Sequence, residues 1–288
     1  MRVVILGVRG MLGHVLARDL SSRFEVVGTM RGPVEQLAAL RGADVRLIGG
    51  VVADDLATVA RALDDAAADV VVNCIGIVKQ RVDGNRPAPC IRINALFPHE
   101  LAALAARRGM RLVHFSTDCV FSGSRGPSKI SDPPDPIDVY GRSKWLGEVD
   151  EPNAITLRTS LVGRELDGHL GLVDWFLRQP AGSEVRGFRR ALFSGMSTTT
   201  AARIVGSVIL DHRELRGVWQ VASEGISKHD LLCLLRDAFK RQVTVFADDV
   251  FACDRRLDGD PFAARTGLMP PSWPDMVREI LDDSPQEP

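Results

Sequence analysis

The sequence predicts an α/β fold, a parallel sheet covered by helices on both faces, and two observations carry that prediction. Short β-branched runs alternate with helical stretches through the first half of the chain. Those runs are apolar throughout instead of alternating apolar and polar, as in strands buried on both faces. In order, "RVVIL" (2–6) reads as a buried strand, Met11–Leu20 as a helix, and "FEVVGT" (24–29) and "VRLIG" (45–49) as two further strands. Leu56–Ala67 is helical because Leu56, Val59, Ala60 and Leu63 recur at i, i+3, i+4 and i+7. "DVVVN" (69–73) is the fourth strand, "INALFPHELAALAARRG" (93–109) is mostly helix, and "MRLVHFS" (110–116) is the fifth strand. A helix around Tyr140 precedes the strand "AITLRTS" (154–160). Beyond residue 163 the pattern loosens. Helices are expected at "GLVDWFLRQ", "TTAARIVGSVI" and "KHDLLCLLRDAFKR", a strand at "GVWQVAS", and one short helix in the Pro-rich tail before it frays. One marked loop, "SGSRGPSKISDPPDPID" (122–138), lies just before Tyr140.

The 288 residues allow one large domain or two smaller ones. A 45% hydrophobic and 25% charged composition is that of a soluble globular protein. Net charge is −1, so neither nucleic acid nor a membrane surface is expected as a partner. The five cysteines (Cys74, Cys90, Cys119, Cys233 and Cys253) show no CxxC spacing, which points to free thiols in a reducing compartment. The histidines form no HxxxH or His/Cys cluster, so no metal is expected. The N-terminal apolar run stops at Arg9, short of the roughly 7–15 residues of a signal-peptide core. No segment approaches the ~18 apolar residues of a membrane span, and a cytoplasmic location is the expectation.

"ILGVRGMLGHVLA" places Gly7, Gly10 and Gly13 between the first strand and the first helix. Glycines there allow a tight turn, close approach of a pyrophosphate and close packing of helix on strand. The helix N-terminus then offers free N–H groups to the anion. The spacing is GxxGxxG, not the commoner GxGxxG, so the context makes the case for a dinucleotide held by Gly7, Arg9, Gly10, Met11, Leu12 and Gly13. The second strand ends "VVGTMRG", with Arg31 and no acid. An acid there would bind an adenosine ribose, whereas an arginine accommodates a 2′-phosphate, so NADPH is favoured. The alternative is that Arg31 is a solvated loop residue. The fourth strand ends "NCIG", where Cys74, Ile75 and Gly76 would line the cofactor; Asn73 reads equally well as a buried polar group satisfied by backbone.

Ser116, Thr117 and Asp118 end the fifth strand, where open α/β sheets place ligands, although an ST-type turn also explains them. Tyr140 is the single tyrosine, and Lys144 is one of only five lysines among 36 basic residues. Spaced i, i+4, the two share a helix face. A free phenol with pKa ~10 is a poor acid–base group at neutral pH unless a cation favours the phenolate. Lys144 is suited to that role and to ribose hydroxyls, being a compact charge with rotatable donors.

The segments "GVRGMLG", "STDCVF", "YGRSKWLGE" and "LRTSLVG", in this order across nearly the full length, resemble the extended short-chain dehydrogenase/reductase family. The nearest branch is that of the dTDP-4-dehydrorhamnose reductase-like sugar-nucleotide reductases. The resemblance implies a Rossmann-type doubly wound parallel sheet with a smaller, discontinuous C-terminal substrate domain. Residues 1–162 plus about 196–222 would bind NAD(P), and about 163–195 plus 223–288 the sugar nucleotide. It implies NADPH as cofactor, with NADH open, and hydride transfer to C4 of a nucleotide-linked 4-keto-6-deoxy sugar. Thr117 would hydrogen-bond the carbonyl, Tyr140 would give the proton, and Lys144 would hold the ribose. Ser116, Asp118 and Cys119 would contact substrate, and Arg189 or Arg190 in "GFRRALFSG" (187–195) would meet its diphosphate, unless they are an exposed basic pair. The loop 122–138 would act as a lid. Cys119 stands where rhamnose reductases usually carry Tyr, and Leu161 where they often carry Trp. UDP-linked 4-keto-6-deoxy or N-acetylamino sugars are therefore candidates beside dTDP-4-dehydrorhamnose. A redox-neutral epimerase and a non-catalytic NADPH-binding regulatory subunit are the alternatives. The branch usually supplies cell-surface polysaccharide precursors, and a homodimer is left open.

Overall fold

The computed structural model describes residues 1–79, 86–168 and 170–283. Its first strand, β1 (Arg2–Leu6), leaves no solvent-exposed surface on Val3, Val4, Ile5 or Leu6. Alternate side chains of a strand point to opposite faces, and here both faces are covered. Val3 and Ile5 join one apolar cluster with Val15, Leu16 and Val205, while Val4 and Leu6 join another with Leu63, Phe97 and Leu101. The chain continues through α1 (Gly13–Leu20), β2 (Glu25–Thr29), β3 (Val45–Ile48) and α2 (Leu56–Asp65) to β4 (Val70–Asn73). α3 (Pro87–Cys90), a π-helical segment Ile91–Leu96 and α4 (Phe97–Arg107) lead to β5 (Arg111–Thr117). Then come α5 (Val139–Leu146), β6 (Ala154–Thr159), β7 (Leu161–Val162), α6 (Leu172–Leu177), β8 (Glu184–Phe193), β9 (Met196–Ser197) and α7 (Thr198–Leu210). β10 (Gly217–Gln220), β11 (Ile226–Ser227), α8 (Lys228–Ala238), β12 (Thr244–Arg255), α9 (Asp260–Thr266) and α10 (Trp273–Asp282) complete the chain.

The main sheet has seven parallel strands in the order β10-β6-β5-β4-β1-β2-β3. Strand order reverses between β1 and its neighbours β2 and β4, which opens a crevice beyond the carboxyl ends. The register aligns those ends: Leu6 lies beside Thr29 on one side and Asn73 on the other, and Thr117 lies beside Thr159. A second sheet, β11-β8-β12, faces that crevice, with α8 packed on it.

The helix expected over Met11–Leu20 begins only at Gly13, because Met11 and Leu12 are part of the glycine turn. β8 and β12 were not anticipated. Each has a solvent face, and β12 is acidic, half exposed and irregular between Asp248 and Ala252. They therefore lack the continuous apolar run that marks the main-sheet strands. The loop 122–138, expected as a lid, is fastened at both sides, after β5 and after β12. Inside the loop Asp135 accepts from Ser122 and Arg125, each at 2.8 Å; its amide donates to the Val120 carbonyl at 3.0 Å, and Ser128 bonds the backbone of Arg256 and Asp258. It is a strap between the segments that follow β5 and β12. His169 and the expected fraying at 284–288 lie outside the described residues. Among the described residues no helix is long and apolar enough to cross a membrane.

Candidate active site

A cleft of about 830 Å³ runs along the carboxyl ends of β1, β4 and β5, and β8, β12 and α8 form its opposite wall. Its first part is the glycine turn. Gly7 has φ +86°, a conformation open to glycine, and Gly10 closes the turn by donating to the Gly7 carbonyl at 3.0 Å. A Cβ on Gly13 would stand 2.2 Å from that same carbonyl oxygen. α1 has no side-chain cap at Leu12, so its first amides are not claimed by a side chain. This cradle fits a dinucleotide diphosphate. Gly13→Ala is expected to push α1 off the turn, costing about 1–3 kcal/mol of stability and weakening dinucleotide binding. A urea unfolding curve and a fluorescence titration with NADPH would read both effects, and unchanged values in both would contradict this.

Arg9 lines the cleft and is ion-paired with Glu35 and Asp167. Arg31 is exposed just beyond β2 and makes no hydrogen bond or ion pair among the described residues. Glu35 is thus an acid close to this end, although it lies six residues past the strand and not at the strand end itself. Cys74, Ile75 and Gly76 line the cleft. Asn73 is buried; its carbonyl accepts from the Ile75 amide at 3.0 Å and its amide meets His114 Nδ1 at 3.2 Å, a structural role.

The side chains expected to react meet at the end of β5. Asp138 caps α5 by accepting from Gly141 at 2.7 Å, and a Cβ on Gly141 would lie 2.3 Å from the Cys119 carbonyl. Glycine is required for that approach, which sets Tyr140 beside Thr117. Burial raises the Tyr140 pKa, as do Cys119, Asp118 and Asp138, while a hydrogen bond with Thr117 works against the rise. The phenol is therefore protonated at neutral pH. Lys144, one turn on, is buried and donates from Nζ to the Phe115 carbonyl at 2.6 Å. Burial lowers its pKa to about 8, opposed by Glu148. The Thr117 hydroxyl donates to Asp118 Oδ1 at 3.1 Å and accepts from the Cys119 amide at 3.2 Å. Burial pushes the Cys119 thiol up to about 12, so it is a thiol and not a nucleophilic thiolate.

Over residues 1–284 the chain matches the family described as the RmlD substrate binding domain. It belongs to that family. A probable low-salt glycan biosynthesis reductase of Haloferax volcanii is 33% identical to this RmlD family member over 171 residues, 56% of this chain and 54% of that protein. A dTDP-4-dehydrorhamnose reductase of Mycolicibacterium smegmatis is 31% identical over 173 residues, 58% of this chain and 47% of that protein. The chain spans about half the length of the curated relatives it matches. The crystal structure of a dTDP-4-dehydrorhamnose reductase from Bacillus anthracis in complex with NADP has the same fold, with a TM-score of 0.78 at 20% identity over 99% of both chains.

Other residues of this RmlD family member fall differently from expectation. Ser116 lines the cleft, with its hydroxyl hydrogen-bonded to Glu148 at 2.7 Å. Arg189 is exposed, ion-paired with Asp249 and not part of the cleft lining; the strand pleat turns it away, and Arg186 lines the cleft instead. Sequence reading missed Lys228 and Arg255 on the opposite wall. It also missed Asn94, which bonds both backbone groups of Ile77, at 2.8 and 2.9 Å, and Ser143 Oγ at 3.2 Å. An Asn inside a helical stretch is the signal that was there, since such residues disfavour helix interiors. Only the π-helical turn directs it inward.

Proposed function

We propose that this chain is an NADPH-dependent reductase of a nucleotide-linked 4-keto sugar, with NADH as an alternative donor and 4-keto-6-deoxy hexoses as the parent substrates. The observation that carries this reading is the meeting of Tyr140, Thr117 and Lys144 in one cleft with the glycine turn. The bound nicotinamide supplies a hydride to C4. Tyr140 and Thr117 polarise the carbonyl, and Tyr140, held protonated by burial, passes its proton to the developing alkoxide. Lys144 holds the ribose hydroxyls and stabilises the phenolate left behind. Arg31 is available for a 2′-phosphate. Arg9 can join it because its partners are exposed, and exposed pairs are worth only about 0–1 kcal/mol.

Lys144 also sets a pH dependence. Its folded pKa lies below the ordinary lysine value, so its ammonium is present below pH 8 and is lost as pH rises through about 8. The value of kcat/KM is expected to fall with a one-proton slope above that point, since this parameter reports the free enzyme. A profile flat beyond pH 9 (about one unit past the midpoint) would remove Lys144 from the mechanism.

The deciding assay follows nicotinamide absorbance with NADPH, then NADH, against dTDP- and UDP-linked 4-keto-6-deoxy sugars. Oxidation matched by formation of the 4-hydroxy sugar supports the proposal. Cofactor binding without any oxidation across the panel overturns it, and isomerisation without net oxidation shows an epimerase.

A further inference from the structure

The wall opposite Tyr140 carries two cations that the reaction above does not use. Lys228 opens α8 with its ammonium 3.8 Å from the centre of the Phe193 ring. Arg255 ends β12, donating from Nε to the Phe121 carbonyl at 3.1 Å, with Nη1 3.5 Å from Cys119 Sγ. Among the described residues neither cation makes an ion pair. One buried acid, Asp118, feels both charges, and its Oδ1 is already taken by the Thr117 hydroxyl. Asp138, the other acid that acts on Arg255, is ion-paired with Lys79 at 2.7 Å, so this corner of the cleft holds two positive charges against one unshared negative. The remaining acids of the cleft are engaged: Asp167 with Arg9, and Glu165 with the amides of Leu170 and Gly171 at 2.8 and 3.2 Å. Half-buried cations without a full countercharge are costly unless a ligand supplies one.

The position of the pair indicates which part of the ligand does so. Cys119, which Arg255 touches, lies two residues beyond Thr117 and packs on the helix that carries Tyr140. The cations thus stand at the end of the cleft where the carbonyl reacts. In a pyranose, C1 with its diphosphate lies across the ring from C4, whereas a substituent on C5 is adjacent to it. Far more exposed along the same cleft, Arg186 stands with the ring pair Phe188–Phe251, whose centres are 5.3 Å apart. Those residues offer a separate cation for the diphosphate and an apolar face for the base.

We infer that Lys228 and Arg255 form an anion subsite beside the reacting carbon, and that the preferred sugar carries a carboxylate on C5, as in a nucleotide-linked 4-ketohexuronate. The inference rests on the reading of this cleft as a nucleotide-sugar reductase site and refines one substituent of its substrate. Neutral 6-deoxy sugars remain substrates, with a higher KM because they lack the anchoring charge.

The test measures binding of UDP-glucose against UDP-glucuronate, and dTDP-glucose against dTDP-glucuronate, by calorimetry at saturating NADPH. The native protein is expected to favour the uronate by about tenfold or more in at least one pair. Lys228→Met and Arg255→Gln, made separately so that one misfolding variant does not end the test, should each remove that preference and leave hexose affinity within about twofold. Equal loss for both members of a pair would assign the cations to the diphosphate and overturn the inference. Absence of any uronate preference would also overturn it, while turnover of 4-keto-6-deoxy sugars would keep the reductase reading intact. If no nucleotide sugar binds and none is reduced, the inference falls together with that reading.

Discussion

Replacing Tyr140 with phenylalanine is expected to lower kcat by about 10²–10⁴-fold with little change in NADPH affinity. The substitution removes one hydroxyl from a half-buried ring and leaves intact the packing of α5, which depends on Gly141 and on the Asp138 cap. It removes the proton that must reach the alkoxide, and no neighbour can replace it well. Thr117 is a far weaker acid, and the Cys119 sulfur is turned to Arg255 Nη1 at 3.5 Å. Single-turnover absorbance gives the chemical step and a fluorescence titration gives the cofactor affinity. A kcat loss smaller than about tenfold would show that another group or a water supplies the proton, and Tyr140 would lose its assigned role.

The second large effect concerns stability. Glu148 and Arg158 form a two-pronged ion pair, 2.6 and 2.7 Å, with side chains 7% and 6% exposed. Glu148 also accepts from Ser116 and stands two residues past the end of α5, so one carboxylate ties that end of the helix to β5 and β6. Glu148→Ala would leave a buried guanidinium uncompensated and is expected to cost about 3–5 kcal/mol, read as a shift of the urea midpoint. The Arg158 ring contact with Phe121, 5.3 Å to the centroid, recovers only part of this. Replacing both members by methionine should restore much of the loss, because the penalty lies in the orphaned charge and not in the missing attraction. If the single variant loses less than about 1 kcal/mol, the pair is solvated in solution and the tie is weak.

Much of the main sheet was legible in the sequence because its central strands are buried on both sides. Burial on both faces demands apolar residues at every position, and "RVVIL" and "DVVVN" show that locally. β8 and β12 were invisible for the converse reason. A strand with one wet face, interrupted by arginines or acids, resembles any polar loop until its partner is known. The same limit explains Arg189. Which of several arginines along β8 faces a cleft depends on the pleat and on a register irregularity in β12, neither of which leaves a mark on the β8 sequence.

Local chemistry was readable wherever the chain itself brings the groups together. The glycine turn, the Thr117–Cys119 turn and the i, i+4 spacing of Tyr140 and Lys144 are each contained within a few residues, so backbone geometry alone relates their parts. By itself the sequence therefore determined the α/β class, the glycine turn after the first strand and the sharing of one helix face by Tyr140 and Lys144. Only the tertiary structure decided what surrounds them: that Glu148 holds Arg158, that Asn94 braces Ile77 and Ser143, and that Lys228 and Arg255 face Asp118. Those pairings join residues from 10 to 137 positions apart. Contacts across such separations are set by how whole elements pack, and packing reflects the summed apolar surface of many side chains rather than any short motif.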